Sequence, residues 1–144
     1  MITAPEGIVI AAFQHFTLPR SKSSILPDGT SLLASGMAIS KSSDRGKSWS
    51  TPTQIKLKGL SEKIQMAFQN RYMQPHGPPC DPAIVLLNDG RIRLYFACSL
   101  GSEKQKPDQA CTLSAISIDH ENFTVEDGVR FMDEGKDDFR SSGY

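Results

Sequence analysis

Three side chains of this sequence have the chemistry and the placement of a ligand site. Asp81 opens the apolar segment "DPAIVLL", where a carboxylate could act as a general base or as a nucleophile. His76 lies in the Pro-rich stretch "QPHGPPCD" ahead of it and could donate to a sugar hydroxyl or shuttle a proton. Arg20 follows "FTLP" and could bind a carboxylate or sugar hydroxyls.

Each of these residues also has a simpler interpretation. Asp81 precedes a proline, so its carboxylate could cap the entry to a strand. Arg20 could form a structural salt bridge, and His76 could be a solvated loop residue. His76 and Cys80 could share a metal ion, but no second pair of ligands completes such a site. The sequence therefore predicts no metal site and no cofactor.

Short strands and turns must position these side chains. "SILPDGTSLLAS" (residues 24–35) and "AIVLLNDGRIRLYFA" (residues 83–97) each predict a strand, an Asp-Gly turn and a second strand. The Asp28-Gly29 and Asp89-Gly90 turns are 61 positions apart. "MAISKSSDRGKSW" and "LSAISIDHENF" follow, each with Ala-Ile-Ser, an Asp and an aromatic residue. This repeat predicts four-stranded antiparallel units, which are typical of propeller blades.

The repeat predicts an all-β chain that forms one partial β-propeller domain over residues 1–144. Its blade-like units cover about residues 8–58 and 80–132, and residues 133–144 would begin a further blade. Residues 61–73 are predicted to form either a helix or another strand, and Glu126 and Asp127 a turn. Aligning the two Asp-Gly turns places Arg20 opposite Asp81, where strands enter a central funnel that could bind a ligand.

The stretch "SSDRGKSW" predicts a turn that is held by its own side chains. Asp44 can accept hydrogen bonds from backbone N–H groups, Gly46 can adopt a positive φ, and Ser48 can bond back into the turn. The pattern Ser42-x-Asp44-x-Gly46-x-Ser48-Trp49 resembles the Asp box, or bacterial neuraminidase repeat (BNR), of sialidase-like propellers. The resemblance implies a structural role for these five residues on the outer rim, with the Trp49 ring packed between blades.

A second resemblance covers the other predicted unit. "CDPAIVLLNDGRIRLYFACS" with "SAISIDHENFTVEDGVRF" is similar to the five-bladed glycoside hydrolase propellers that split arabinans, xylans and fructans. Those enzymes often place a catalytic Asp at the start of the innermost strand of a blade. The resemblance implies that Asp81 is catalytic, and the funnel position makes Arg20 and His76 the expected substrate-binding residues.

One departure bears on the substrate. Sialidases carry a Phe-Arg-Ile-Pro motif whose Arg binds sialic acid, whereas the corresponding stretch here is "FTLP", with Thr17 at the place of that Arg. The sequence therefore favours a glycoside hydrolase-like propeller that acts on a carbohydrate and is not a true sialidase. Two alternatives stay open, a non-catalytic propeller that binds carbohydrate or protein, and an inactive structural fragment.

The composition further restricts the classes of partner that we expect. The 144 residues include 16 basic and 16 acidic side chains, and this zero net charge favours neither nucleic acid nor an anionic membrane as a partner. The apolar runs are too short to span a bilayer, no signal peptide is recognisable, and three cysteines do not form a disulfide framework. Two blades cannot close a propeller, so we expect either a longer protein or a homo-oligomer that completes the ring.

Overall fold

Strands make up most of the described chain. The structure is a computed structural model, and it describes residues 1–17, 34–60, 74–101 and 109–132. The strands are β1 (Ile2–Thr3), β2 (Val9–Thr17), β3 (Ala34–Ser42), β4 (Thr53–Gln54), β5 (Lys56–Lys58), β6 (Gln74–Leu86), β7 (Ile92–Gly101), β8 (Gln109–Ser117), β9 (Asn122–Val125) and β10 (Phe131–Met132). A 3-10 turn at Pro5–Gly7 joins β1 to β2. In these four ranges, no helix is long and apolar enough to cross a membrane.

The strands form two open sheets. The first sheet has the order β1-β2-β3-β4, and every pair in it is antiparallel. The second has the order β5-β9-β8-β7-β6, with β10 also paired to β8, and its one parallel pair among the described strands is β5 with β9. The predicted all-β class is confirmed. The predicted 28–29 turn, the 61–73 segment and the start of a further blade lie outside the described residues.

The two sheets repeat the same first hairpin. In the β1–β2 turn the Ala4 N–H donates to the Ile8 carbonyl at 2.7 Å, and in the β6–β7 turn the Leu87 N–H donates to the Arg91 carbonyl at 2.8 Å. Each turn has a glycine with positive φ just before its last residue. A three-residue loop with a left-handed glycine is a common way to join antiparallel strands. The hairpin predicted around Asp89-Gly90 is therefore confirmed.

This match corrects the predicted spacing of the repeat. Gly7, with φ +76°, is the counterpart of Gly90, with φ +83°, so β2 corresponds to β7 and β3 to β8. The spacing of 61 residues between the two Asp-Gly turns is not the repeat of the described strands. The alignment of Arg20 with Asp81 used that spacing, and Arg20 lies outside the described residues, so its place opposite Asp81 stays a prediction. The first-sheet turn was missed because Pro-Glu-Gly, rather than Asp-Gly, forms it.

The turn after β3 is closed by its own side chains, as predicted. The Ser42 hydroxyl accepts from the Gly46 N–H at 2.8 Å and donates to the Asp44 carboxylate at 2.8 Å. That carboxylate also accepts from the Ser48 N–H at 2.8 Å and the Ser48 hydroxyl at 2.6 Å. The Trp49 ring donates to the Gly46 carbonyl at 3.1 Å and is 42% exposed. It lies over its own turn and is not part of the core that joins the two sheets, so its packing between blades stays a prediction.

The turn after β8 repeats this arrangement with different residues. The Ser117 hydroxyl donates to the Asp119 carboxylate at 2.9 Å and accepts from the His120 N–H at 2.9 Å. Asp119 in turn accepts from the Asn122 backbone N–H at 2.8 Å and side-chain amide at 2.7 Å. His120 takes the positive φ that Arg45 and its following glycine take in the first turn. A serine and an aspartate two residues apart thus organise both turns.

One hydrophobic core joins the two sheets. The inner face of the first sheet supplies Ile10, Met37 and Ile39. The inner face of the second sheet supplies alternate residues of its strands, among them Ile84, Ile92, Leu94, Phe96, Leu113, Ala115 and Val125. Strand β6 lies against β1, β2 and β3. Between the sheets only Ile55 separates β4 from β5, and its N–H donates back to Met37 at 2.9 Å.

The faces that meet in this core are not equivalent. Val9 pairs with Ser42 and Ile92 pairs with Ser117, so Val9 and Ile92 hold the same place in the repeat. Ile92 nevertheless points into the shared core, whereas Val9 does not. In the first sheet the next residue, Ile10, which lies on the opposite face of the strand, points into that core. Sheet one therefore packs on sheet two as one step of a head-to-tail stack, and not as half of a symmetrical sandwich.

We predict that the Asp44 turn makes stability depend on acid. Hydrogen bonds from the Ser48 side chain and backbone, and then from Ser42, lower the pKa of Asp44 to about 2. Because the carboxyl of the unfolded chain has a pKa of about 4, this stability is present above that pH and is lost as the pH falls toward 2. Asp44→Asn should lower the urea midpoint at pH 7, and the difference from the parent should shrink in acid.

Urea titrations of both proteins between pH 7 and pH 2 measure this directly. Glu6→Gln is the control, since it removes an exposed carboxylate from the β1–β2 turn. A difference between parent and Asp44→Asn that stays constant over the whole pH range would contradict the prediction.

Candidate functional site

The candidate site lies at an irregular stretch of β6. Along this strand, His76 is opposite Ser99, Cys80 is opposite Ala97, and Ala83 is opposite Tyr95. The four steps from His76 to Cys80 face two steps of β7, and the three steps from Cys80 to Ala83 face two more. The extra residues bulge out of the ladder, as they do where a strand re-aims side chains at a site.

Asp81 lies in the second bulge with an unusual backbone. Its φ is +52°, in the left-handed region that costs most residues about 1–2 kcal/mol, although Asp tolerates it better than others. The side chain is exposed, and its carboxylate contacts the Cys80 thiol, with Sγ to Oδ2 at 3.6 Å. The bulge therefore holds one carboxylate out toward solvent from the edge strand that abuts the other sheet.

Three thiols lie on the strands around this carboxylate. Burial raises the pKa of Cys80, and the charge and hydrogen bond of Asp81 add to that effect. Burial also raises the pKa of Cys98 to about 11 and that of Cys111 to about 12, with a smaller contribution from the neighbouring thiol in each case. All three thiols are therefore protonated at neutral pH. Among the described residues, no group of His, Cys, Asp and Glu side chains is arranged to hold a metal ion.

The other predicted site residues are distributed differently. The backbone of His76 lies on the same strand as Asp81, at the start of the irregular stretch. Arg20 lies outside the described residues. The Asp-box residues form the turn between β3 and β4 and make hydrogen bonds within that turn. Of the predicted ligand-binding residues, the described structure thus places Asp81 and the His76 backbone on one strand.

The sequence reading missed an ion cluster on the outer face of the second sheet. Glu126 accepts two hydrogen bonds from the Arg93 guanidinium, at 2.8 and 2.9 Å, and one from the Ser114 hydroxyl at 2.7 Å. Arg130 donates to the Ser114 hydroxyl at 2.7 Å and lies 3.6 Å from Glu126. Glu126 is therefore more than the turn residue it was predicted to be. It joins β7, β8 and the segment that leads to β10.

The cluster keeps its charges satisfied. Burial disfavours the ionised form of Glu126, but hydrogen bonds from Ser114 and Arg93 and the charges of both guanidinium groups outweigh burial and lower its pKa. Hydrogen bonds from Arg93 to Glu126 and Tyr95 raise the pKa of Arg93 in turn. Strand alternation could have indicated that Arg93 lies on the polar face. Nothing local could have paired it with a residue 33 positions away.

The comparisons with known proteins add no relative. No protein-family model matches the chain, and no curated protein matches it. The resemblance to an Asp box accordingly depends on the residues of one turn, and the case for Asp81 depends on its geometry.

We predict that Glu126→Gln destabilises the fold by about 1–3 kcal/mol, because two guanidinium groups lose their ionised partner. Glu121→Gln is the matched control, since Glu121 makes one exposed ion pair with Lys41 at 3.7 Å and should cost under about 1 kcal/mol. Free energies of unfolding from urea titrations decide this, and equal losses for the two variants would contradict a special role for the cluster.

Asp81 itself offers a test of backbone strain. Replacing it with glycine removes the left-handed penalty and should leave stability unchanged or higher, whereas Asp81→Ala should destabilise by about 1 kcal/mol. The measurement is the thermal midpoint of each variant. An alanine variant as stable as the glycine variant would contradict the assigned conformation.

Proposed function

We propose that the chain supplies two blades of a sialidase-like β-propeller that hydrolyses a carbohydrate, with the Asp81 carboxylate as a catalytic group. The observation that carries the proposal is the exposed Asp81 carboxylate, held at φ +52° in a bulge of β6. Strained residues at bulges that face solvent are enriched at functional sites. In the hydrolysis, this carboxylate would act as nucleophile or general base toward the sugar.

Two features support the propeller. Non-equivalent faces of the two sheets pack together, which is the relation between successive blades around a channel. Both sheets also turn from their third to their fourth strand through a serine–aspartate arrangement, and the first of these turns matches the Asp box at every defined position. Four to eight such sheets would complete the ring.

The proposal needs a second carboxylate. Glycoside hydrolysis commonly uses a pair of Asp or Glu residues flanking the scissile bond, about 5 Å apart for retention or about 6.5–9.5 Å apart for inversion. In the described ranges, the Asp81 carboxylate contacts the Cys80 thiol and forms no ion pair. The second carboxylate would come from another blade of the completed ring. Arg20 and His76 remain proposed contacts to sugar hydroxyls.

The same observation favours a second candidate, a propeller that binds a carbohydrate without cleaving it. A single exposed carboxylate beside a protonated thiol can accept hydrogen bonds from sugar hydroxyls without a partner acid. In both candidates Thr17, at the place of the sialidase Arg, argues against sialic acid as the ligand.

Asp81→Asn separates the two candidates. Asn keeps the shape and the tolerance of a left-handed backbone but cannot act as base or nucleophile, so hydrolysis of arabinan, xylan, fructan or aryl glycosides should fall by about 100-fold or more. A binding protein should instead keep most of its affinity for the same polysaccharides. Asp89→Asn is the control, since Asp89 is an exposed turn carboxylate paired with Arg91. Full hydrolysis by Asp81→Asn would overturn the catalytic assignment.

A further inference from the structure

One face of each sheet packs in the shared core, and the opposite face of each sheet is not covered by the other sheet. The outer face of the second sheet carries Val85, Arg93 and Tyr95, with Ser114 and Ile116 beside them on β8. Phe131 is opposite Thr112 and extends the same face. Val85 is 46% exposed and Phe131 is 67% exposed, so apolar side chains flank this face on both sides of its centre. Two of the five large apolar side chains that are exposed in the described residues therefore lie on this face.

The centre of that face is polar but already satisfied. Glu126 is bound by Arg93, Ser114 and Arg130, and no buried polar side-chain atom among the described residues lacks a partner. Covering a charged pair costs desolvation energy, which is best repaid when the pair is bidentate and its remaining hydrogen bonds are made. Arg93 and Glu126 form such a pair, whereas the one net positive charge of the cluster belongs to Arg130, which is 38% exposed and can stay in solvent at the edge of a contact.

The outer face of the first sheet is a neutral counterpart. It carries Val9, Ala11 and Phe13 on β2, with Ala38 opposite Phe13 on β3 and His15 near the end of β2. None of these residues belongs to the shared core: Val9, Ala11 and Phe13 are half-buried, His15 is exposed and Ala38 is buried. In the repeat they hold the places that Ile92, Leu94 and Phe96 hold in the second sheet.

We propose that a second copy of this chain places the outer face of its first sheet on the outer face of the second sheet. This contact repeats, between chains, the packing that already joins the two sheets within one chain. The two uncovered faces are the repeat counterparts of the two faces that meet in the core, so the contact between chains continues an interface that already exists within one chain. It depends on packing alone and stands whether or not Asp81 is catalytic.

The contact is head-to-tail, so each copy keeps one face free for the next. Such assemblies form closed rings when the rotation between copies closes and open chains when it does not. A closed ring of three copies would contain six sheets, which lies within the range of closed propellers.

Complementary blocking variants test the arrangement. Val85→Asp, with Phe131→Asp as a second version, blocks the face of the second sheet, and Ala11→Asp, with His15→Asp as a second version, blocks the face of the first. Ser43→Asp adds the same charge at an exposed turn position and is the control. Circular dichroism shows which variants are folded, and light scattering on a sizing column gives their masses.

The parent and Ser43→Asp should form the same assemblies larger than a monomer, with one mass if the ring closes and a range of masses if it does not, and each folded blocking variant alone should be a monomer. An equimolar mixture of one variant of each kind should form a dimer of about twice the chain mass, because one intact face of each type remains. A monomeric parent at high concentration, folded blocking variants with the mass of the parent, or a mixture that stays monomeric would each overturn the proposal.

Discussion

The packing of one sheet on a non-equivalent face of the other is the constraint on which the remaining structure depends. Ile10 and Ile39 of the first sheet share a core with Ile92 and Leu94 of the second. Burying each such side chain contributes about 1.5–3 kcal/mol, so this core outweighs any single ion pair on the surface. It also fixes which side of each sheet stays open, and therefore where polar residues can lie.

The core determines the position of the candidate site as well. Strand β6 is the edge of the second sheet and lies against β1, β2 and β3 of the first. Its residues near Leu86 follow a regular ladder, whereas the stretch from His76 to Ala83 departs from it twice. Asp81 is exposed there because the bulge turns it away from the packed strands, and an aspartate accommodates the left-handed backbone that the bulge requires.

Local turns were predicted from the sequence more accurately than the spacing of the repeat. Asp89-Gly90 predicted its hairpin, and the Asp44 turn was predicted because all its partners lie within a few residues. The counterpart of the first hairpin was missed because its turn, Pro5–Gly7, lacks the Asp-Gly signal. Such errors arise when one physical need, a residue with positive φ, is met by different sequences.

Longer-range features could not be read from the sequence. The link from Arg93 to Glu126 joins strands that are distant in the chain, and neither residue has a neighbour that signals the other. Asp81 was nominated from its position ahead of an apolar strand, but its left-handed φ follows from a strand register that only the fold defines. The exposure of Trp49 likewise depends on how the sheets stack, and not on the turn that carries it.

The most direct test of this account is a methyl NOE spectrum of the protein with isotope-labelled isoleucine side chains. Ile10 and Ile39 lie on the inner face of the first sheet, Ile84 and Ile92 on that of the second, and Ile116 on the outer face of the second. The account predicts cross-peaks that connect the first pair with the second pair, and none within one chain from Ile116 to Ile10 or Ile39. The labelled protein is diluted with unlabelled protein so that contacts between copies give no signal. Cross-peaks from Ile116 to Ile10 or Ile39 in that sample would mean that equivalent faces meet and would contradict the head-to-tail packing.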